Sequence, residues 1–304
     1  MSLLRDAQDR IATAIAWVSS AYRRRFGWLR GEDVRSTRDL MQLWAQRRSR
    51  GLGPEPVGPE AGNAALHRTL NLNTRDAFRS KNIENFKANR SRLKAGRGIR
   101  EIDALYRRGA AFIVGAGPSL DRNIDELKRA VGRWPIFACD AALPMLTKAG
   151  IEPDYAMVID AKDCQARFFE GVRSNTRTKL LVVACVSPAV LDSWPGEVLF
   201  FNSWADRKDE KIQLRYGKDF GSIGVGGNVS TALLCLVSVF CEASTIVLVG
   251  HDFSYAPGRY YAEGGVHALA PKHGGMRWWD ITGETVITNF QLWAYKNFTV
   301  DYAQ

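Results

Sequence analysis

Residues 111–120 read AFIVGAGPSL, an apolar run that stops at Gly115 and continues into small residues. The pattern predicts a buried strand, a tight turn and a helix that starts at Pro118 or Ser119. Small residues at the carboxyl end of a strand allow backbone amides to approach an anionic ligand. The stretch therefore predicts a phosphate-binding turn, and a strand-to-helix turn without a ligand is the alternative reading.

Two more apolar runs follow, and each ends in a carboxylate. Residues 134–140 read WPIFACD, residues 155–160 read YAMVID, and predicted helices over 123–131 and 141–150 lie between the runs. This alternation predicts an α/β fold, a doubly wound, mostly parallel Rossmann-like sheet that binds ligands at the carboxyl ends of its strands. The residues expected to converge at that edge are Gly115, Gly117, Ser119, Asp140 and Asp160.

A glycine cluster, FGSIGVGGNVS over residues 220–230, precedes a predicted helix over 231–242 and a predicted strand over 245–249. Its glycines predict a second cradle of backbone amides, in which Asn228 or Ser230 either caps the helix or contacts a base or sugar. A flexible loop with a helix cap is the alternative. The residues favoured for binding are Gly226, Gly227 and Asn228.

Three of the four histidines lie between residues 251 and 273. His251 lies inside a strand end and is interpreted as structural. His267 and His273 lie in a glycine-rich segment that follows the predicted ligand-binding edge. Imidazole is a suitable general base for a hydroxyl near neutral pH, so one of these two is the predicted base.

Composition predicts a cytoplasmic protein with one α/β core and a basic appendage. The five cysteines lack CxxC spacing and mostly lie in apolar runs, which favours core positions over disulfides or zinc ligands. Neither a signal peptide nor a membrane span is expected. Residues 1–75 are interpreted as a helical basic extension and linker, and residues 76–304 as the nucleotide-binding domain. The formal net charge of +10 suits an anionic donor.

Residues 3–22 have helical apolar spacing, and arginines follow at 23–25. Such a helix can contact a membrane surface or a partner, or it can pack on its own domain or another subunit. Binding of nucleic acid is not expected, and the oligomeric state is not predicted.

The order of motifs resembles the MptE-like domain family. The resembling segments are GAGPSLDRNIDELK from Gly115, the aspartate of ACDAALPML, GIEPDYAMVID from Gly150 and IVLVGHDFSY from Ile246. One branch resembles the 6-hydroxymethylpterin diphosphokinase, which uses ATP and Mg²⁺. The other contains motility accessory factors, whose core resembles bacterial CMP-sialic-acid transferases. In the family, more sheet follows the helix predicted over 289–300, so this chain is expected to be a truncated member.

The transferase branch implies a role for each candidate residue. Nucleotide binding is implied for Gly115, Gly117, Pro118, Ser119, Asp140, Asp160, Gly226, Gly227, Asn228 and Asp252. Tyr255 and Tyr261 have the spacing of two tyrosines that contact the departing phosphate, a task that phenols can perform without a metal. His267 aligns best with the family's downstream histidine, whereas the position of the transferase base favours His273.

The resemblance leaves three functions open. The favoured one is transfer of a sialic-acid-like sugar from a CMP donor to a hydroxyl of a small-molecule or protein acceptor, without a metal or cofactor. The alternative is the Mg²⁺-dependent diphosphokinase, for which Asp160 and Asp163 are the candidate ligands. The third is a catalytically inactive nucleotide-binding or scaffold protein.

Overall fold

A computed structural model describes residues 77–303, apart from 103–104, 107–108, 204–206, 257, 267–275 and 280–284. Within these residues, the main sheet has seven parallel strands in the order β1-β6-β5-β4-β3-β2-β7. The strands are β1 (Arg97–Gly98), β2 (Ala110–Val114), β3 (Ile136–Cys139), β4 (Tyr155–Val158), β5 (Lys179–Val183), β6 (Val198–Phe201) and β7 (Thr245–Val249). The predicted parallel α/β fold is confirmed, and the predicted extension over 1–75 lies outside the described residues.

Helices connect the strands along the chain. They are α1 (residues 77–88), α2 (Arg90–Ala95), α3 (Leu120–Lys128), α4 (Leu143–Lys148), α5 (Pro188–Ser193), α6 (Arg207–Tyr216), α7 (Val229–Cys235) and α8 (Phe290–Ala303). Helix α3 begins three residues before the helix predicted over 123–131 and just after the predicted start at Pro118 or Ser119, where the amide of Leu120 donates to the Gly117 carbonyl within the turn. Helix α7 is shorter than predicted, because Leu236–Phe240 continues it as a π-helical turn.

The chain reverses direction across the sheet at β2. Strands β2 to β6 follow one another towards one edge, after which the chain returns to place β7 on the other side of β2. Val114 of β2 pairs with Ala138 of β3 and with Val249 of β7, so the carboxyl ends of these strands lie side by side. In open α/β sheets, ligands bind at such a reversal, outside the carboxyl ends of the strands.

The strands are continuous apolar runs because both of their faces are buried in the core. All four residues of β3 and of β4 are buried, as expected for parallel strands covered on both faces. Helix α7 packs across β2, β3 and β4, and its residues from Thr231 to Cys235 are buried. Four of the five cysteines are buried and the fifth, Cys164, is exposed, and no two of them form a disulfide in the described residues.

A second, antiparallel pair consists of β8 (Met276–Trp279) and β9 (Thr285–Thr288). The amide of Tyr255 donates to the carbonyl of Ile287 at 2.7 Å, which ties the segment after β7 to β9. Thr288 donates its hydroxyl to the Phe253 carbonyl at 2.6 Å. The pair therefore holds the 253–255 segment next to the start of α8. In the part of the chain that the structure describes, no helix has the length and apolarity that a membrane span requires.

Candidate functional site

The Gly115–Ser119 turn is bonded to the end of β7. The amide of Gly115 donates to the Val249 carbonyl at 2.8 Å, and that of Gly117 donates to the Gly250 carbonyl at 2.9 Å. The amide and hydroxyl of Ser119 both donate to Asp252 Oδ2, at 3.1 and 2.8 Å. Three amides expected to face a phosphate are thus engaged within the protein, and Asp252 is the acceptor for one of them.

Close approach of β7 accounts for two glycines of this turn. A Cβ on Gly115 or on Gly117 would lie 2.6 Å from the carbonyl oxygen of Gly250, closer than a real Cβ approaches any atom. A Cβ on Gly117 would also collide with the Asp252 carboxylate. Pro118, the next residue in the turn, is half-buried, and its carbonyl accepts the amide of Asp121 at 3.3 Å.

Two carboxylates lie together at the carboxyl edge. Asp140 follows β3 directly, is 5% exposed and accepts the amide of Ala141 at 2.8 Å. Burial raises the pKa of Asp140 to about 7, and the negative charge of Asp160 contributes to that rise. Asp160 follows β4, is exposed and accepts a hydrogen bond from the Gln165 amide. The two therefore converge as predicted, and Asp140 is partly protonated near neutral pH.

A cluster of tyrosines follows β7. The ring of Tyr260 lies 5.0 Å from that of Tyr255 and 4.7 Å from that of Tyr261, measured between centroids. Tyr255 is 8% exposed, and its hydroxyl accepts a hydrogen bond from Asn289. Burial raises the pKa of Tyr255 to about 12 and moves that of Tyr261 further upwards. Both phenols therefore remain protonated hydrogen-bond donors at physiological pH.

Tyr261 connects this cluster to the end of β3. Burial is the main reason that the pKa of Tyr261 is raised; the charge of Asp140 adds to the rise and the guanidinium of Arg167 opposes it, so both groups lie within electrostatic range of this hydroxyl. The amide of Ala262 donates to the Ala116 carbonyl at 2.9 Å, which fixes the tyrosine segment against the Gly115–Ser119 turn. The tyrosines and Asp140 therefore form one site at the carboxyl edge.

The glycine cluster before α7 packs against α8. A Cβ on Gly226 would collide with the Phe298 ring, and a Cβ on Gly227 would lie 2.6 Å from the Tyr295 ring. Gly227 also has φ +102°, a left-handed conformation that favours glycine. Asn228 caps α7: its Oδ1 accepts the amide of Thr231 at 2.8 Å in a reciprocal capping box. The sequence offered two roles for Asn228, and in the structure it acts as the helix cap.

Ser230, in the first turn of α7, links this helix to the site. Its hydroxyl lies 3.2 Å from the sulfur of Cys139, the last residue of β3. The negative charge of Asp160 contributes to the raised pKa of Tyr295, behind burial, which is the largest cause. The glycine cluster and α8 thus border the same edge as Asp140 and Asp160.

The Asp160–Asp163 pair does not fit a magnesium site. Asp163 accepts the Ser187 hydroxyl and lies 3.7 Å from Lys81 Nζ, whereas Asp160 is bonded to Gln165. In the described residues, no three His, Cys, Asp or Glu side chains are grouped closely enough to hold an ion. Asp160 also lies within electrostatic range of Asp140.

His251 lies between the glycine turn and β7. Its Nδ1 is 2.9 Å from the Val249 carbonyl, while its buried Nε2 has no hydrogen-bond partner among the residues that the structure describes. Burial lowers the pKa of His251 to about 4, so the ring is neutral at physiological pH. His267 and His273, the predicted bases, lie outside the described residues.

Three side chains of the site were not predicted from the sequence. Tyr260 packs between the two predicted tyrosines with its ring tilted to Tyr255 and edge-on to Tyr261, Arg167 lies within electrostatic range of Tyr261, and Tyr295 covers Gly227. The position of Arg167, just after Asp160 in the chain, was the one available signal. Tyr260 and Tyr295 reach the site through tertiary packing, which local sequence patterns do not encode.

Comparisons with known proteins agree with this architecture. Residues 81–258 match the family model described as 6-hydroxymethylpterin diphosphokinase MptE-like. An uncharacterized protein of Treponema pallidum (strain Nichols) is 42% identical over 50 residues, which are 16% of this chain and 24% of that protein. The MAf glycosyltransferase from Magnetospirillum magneticum AMB-1 is a structural neighbour with a TM-score of 0.54 and 19% identity. That match covers 72% of this chain and 35% of the glycosyltransferase, and it shows a common fold.

The family match extends over most of the described sheet. It includes the Gly115–Ser119 turn, Asp140, Asp160, the glycine cluster and the end of β7 up to residue 258. This chain spans about a quarter of the Treponema protein and about a third of the glycosyltransferase. With the family model matching more than half of its length, the chain belongs to the MptE-like family.

Proposed function

We propose that this chain is a nucleotide-dependent transferase that moves a sialic-acid-like sugar from a CMP donor to a hydroxyl acceptor. The observation that carries the proposal is the cluster of Tyr255, Tyr260 and Tyr261, which the bond from Ala262 to Ala116 holds at the carboxyl edge of the sheet. Membership in the MptE-like family supports transferase chemistry at the level of the family. The structural neighbour is a glycosyltransferase, which favours sugar transfer, and the CMP donor is what the resemblance to the transferase branch implies.

The nucleotide would lie over the carboxyl ends of β3 and β4. A carboxyl group with a pKa of about 7 donates a hydrogen bond when protonated and accepts one when ionised, so Asp140 can pair with a base in either state. Cytosine offers ring-nitrogen and carbonyl acceptors as well as an amino donor. Asp160 and the Ser230 hydroxyl border the same position. The glycine turn supports this edge through its bonds to β7.

Transfer breaks the bond between the anomeric carbon of the sugar and the phosphate oxygen, and CMP departs with the electron pair. The acceptor oxygen forms the new bond to that carbon and loses its proton to a base. Tyr255 and Tyr261 stay protonated and can donate hydrogen bonds to the departing phosphate. Arg167 adds positive charge beside Tyr261. His267 or His273 remains the predicted base.

The binding part of the proposal is tested by calorimetric titration of the chain with CMP and with ATP, each in Mg²⁺ and in EDTA. The proposal predicts micromolar binding of CMP that EDTA does not change. Binding of ATP that requires Mg²⁺, without binding of CMP, would support the diphosphokinase. Binding of neither nucleotide would favour a scaffold role.

The catalytic part is tested by Tyr261→Phe, which removes one hydroxyl from the site. We expect CMP release from a CMP-sialic-acid donor to fall about 10²- to 10³-fold, with the Kd for CMP nearly unchanged. Tyr106→Phe is the matched control, because Tyr106 donates to Tyr155 at the opposite, amino end of β4, 3.2 Å away. An equal loss of turnover in both variants would contradict the role of Tyr261.

The diphosphokinase is the second candidate, and the proximity of Asp140 and Asp160 favours it. Two carboxylates that approach each other can hold Mg²⁺ on nucleotide phosphates. Asp160→Asn distinguishes the two functions. It should abolish Mg²⁺-dependent ATP binding if the chain is a diphosphokinase, whereas the turnover of a CMP donor that remains should be the same in Mg²⁺ and in EDTA if the chain is a glycosyltransferase.

A further inference from the structure

Six exposed cations lie on α1, α2, α6 and the turn just after α6, and we call this surface the basic face. None of them forms an ion pair with a described residue. The six are Lys87, Arg90, Lys94, Lys211, Arg215 and Lys218. Long cationic side chains of this kind are strongly hydrated and stay available for an anionic partner.

Packing between the helices makes the basic face one continuous surface. The ring of Phe86 in α1 stacks on that of Tyr216 in α6, with centroids 6.1 Å apart. Lys218 Nζ lies 3.5 Å from the Lys94 carbonyl oxygen. The guanidinium carbon of Arg215 lies 6.0 Å from the centre of the Tyr216 ring. The cations of α2 and α6 are therefore neighbours.

The acids around the basic face are already neutralised. Glu84 lies 4.0 Å from Lys81, Asp192 pairs with Arg92, and Asp219 pairs with Arg100. Residues 207–210, RKDE, carry no net charge. The excess positive charge of the surface thus comes from the six cations, and it fits a partner with many negative charges.

An exposed leucine decides the class of partner. Leu214 is 43% exposed and lies within one helical turn of Lys211 and next to Arg215 in α6. An apolar side chain among cations suits the headgroup region of a bilayer, where the chain is buried and the cations meet lipid phosphates. Single-stranded nucleic acid would instead require exposed rings for stacking, and Phe86 is 3% exposed.

We propose that the basic face docks this chain on an anionic lipid bilayer, with Leu214 in the headgroup region. Helix α1 connects this face to the ligand-binding edge, because Asn85 Nδ2 donates to the carbonyls of Ala161 and Cys185 after β4 and β5, at 3.0 and 2.9 Å. Docking would therefore hold that edge in a fixed relation to the bilayer. This inference stands independently of the transferase chemistry.

Sedimentation of the full chain with vesicles tests the proposal. The wild type should bind vesicles of phosphatidylcholine with about one third phosphatidylserine, and should not bind pure phosphatidylcholine. The triple variant Lys87→Gln, Arg90→Gln, Lys94→Gln should bind the anionic vesicles about 100-fold more weakly. Leu214→Gln should weaken binding about 10-fold while keeping the salt dependence.

A second triple variant controls for net charge. This variant, Arg122→Gln, Lys128→Gln, Arg133→Gln, removes the same number of positive charges from exposed side chains on α3 and the turn after it. Both triples retain residues 1–76, so any binding by that segment is common to them. An equal loss in the two triples would overturn the proposal, as would a wild type that ignores anionic vesicles. Binding of a single-stranded oligonucleotide in place of vesicles would reassign the surface to nucleic acid.

Discussion

Replacing Asp140 by Asn tests the charge state of the candidate site. Asp140 is 5% exposed, and its carboxylate accepts the Ala141 amide at 2.8 Å. Burial is the main reason that the pKa of Asp140 rises to about 7, from an ordinary value of 3.8. Asn keeps an oxygen to accept the Ala141 amide but carries no charge at any pH.

The pH dependence has a definite sign. The folded state binds the Asp140 proton more tightly than the unfolded chain does, so the group favours folding below about pH 4. This contribution is lost as the pH rises towards 7, because only the unfolded chain ionises freely there. A shift of about three pKa units corresponds to about 4 kcal/mol. Asp140→Asn should therefore exceed the wild type in stability by about 4 kcal/mol at pH 8 and match it near pH 4.

Urea unfolding from pH 4 to pH 8 measures this difference directly. Glu170→Gln is the control, since Glu170 is exposed and its replacement should change the free energy of unfolding by less than about 0.5 kcal/mol. A difference between Asp140→Asn and the wild type that does not change with pH would refute the reasoning. So would an Asn variant that is less stable than the wild type at pH 8.

Three further predictions concern the supporting structure. Gly117→Ala should lower the free energy of unfolding by about 1–3 kcal/mol, because its Cβ would collide with Asp252; thermal unfolding measures this, and an unchanged midpoint would contradict the packing. Asn228→Ala should cost about 1 kcal/mol through loss of the Thr231 capping box, whereas a neutral result in urea unfolding would argue against the cap. His251 has a pKa lowered by burial to about 4, so it stabilises the fold above about pH 6.5 and loses that contribution as the pH falls; His251→Gln should flatten the acid limb of the stability profile, and an identical limb would exclude the histidine as its cause.

The fold was predictable because each strand of a parallel sheet is a short apolar run with a polar end. The strand predicted over 245–249 matches β7, and Asp140 and Asp160 lie at the predicted edge. Helix ends were predicted less well, since the turn at Leu120 and the π-helical turn at Leu236 depend on local hydrogen bonds that composition does not specify.

The structural reason for Gly115 and Gly117 could not be predicted from the sequence. The sequence suggests a ligand as the cause of the small residues at 115 and 117, whereas in the structure a Cβ there would meet the Gly250 carbonyl. That contact joins residues more than 130 positions apart, so no local pattern reveals it. Asn228 differs, because a helix cap was one of its two predicted roles and follows from local sequence alone.

A crystal structure of the chain with bound CMP would show directly whether the nucleotide binds at the carboxyl ends of β3 and β4. We expect the cytosine within hydrogen-bond distance of Asp140 and the phosphate beside the hydroxyls of Tyr255 and Tyr261. CMP bound at the amino ends of the strands, near Tyr106, or on a surface remote from β3 would contradict it.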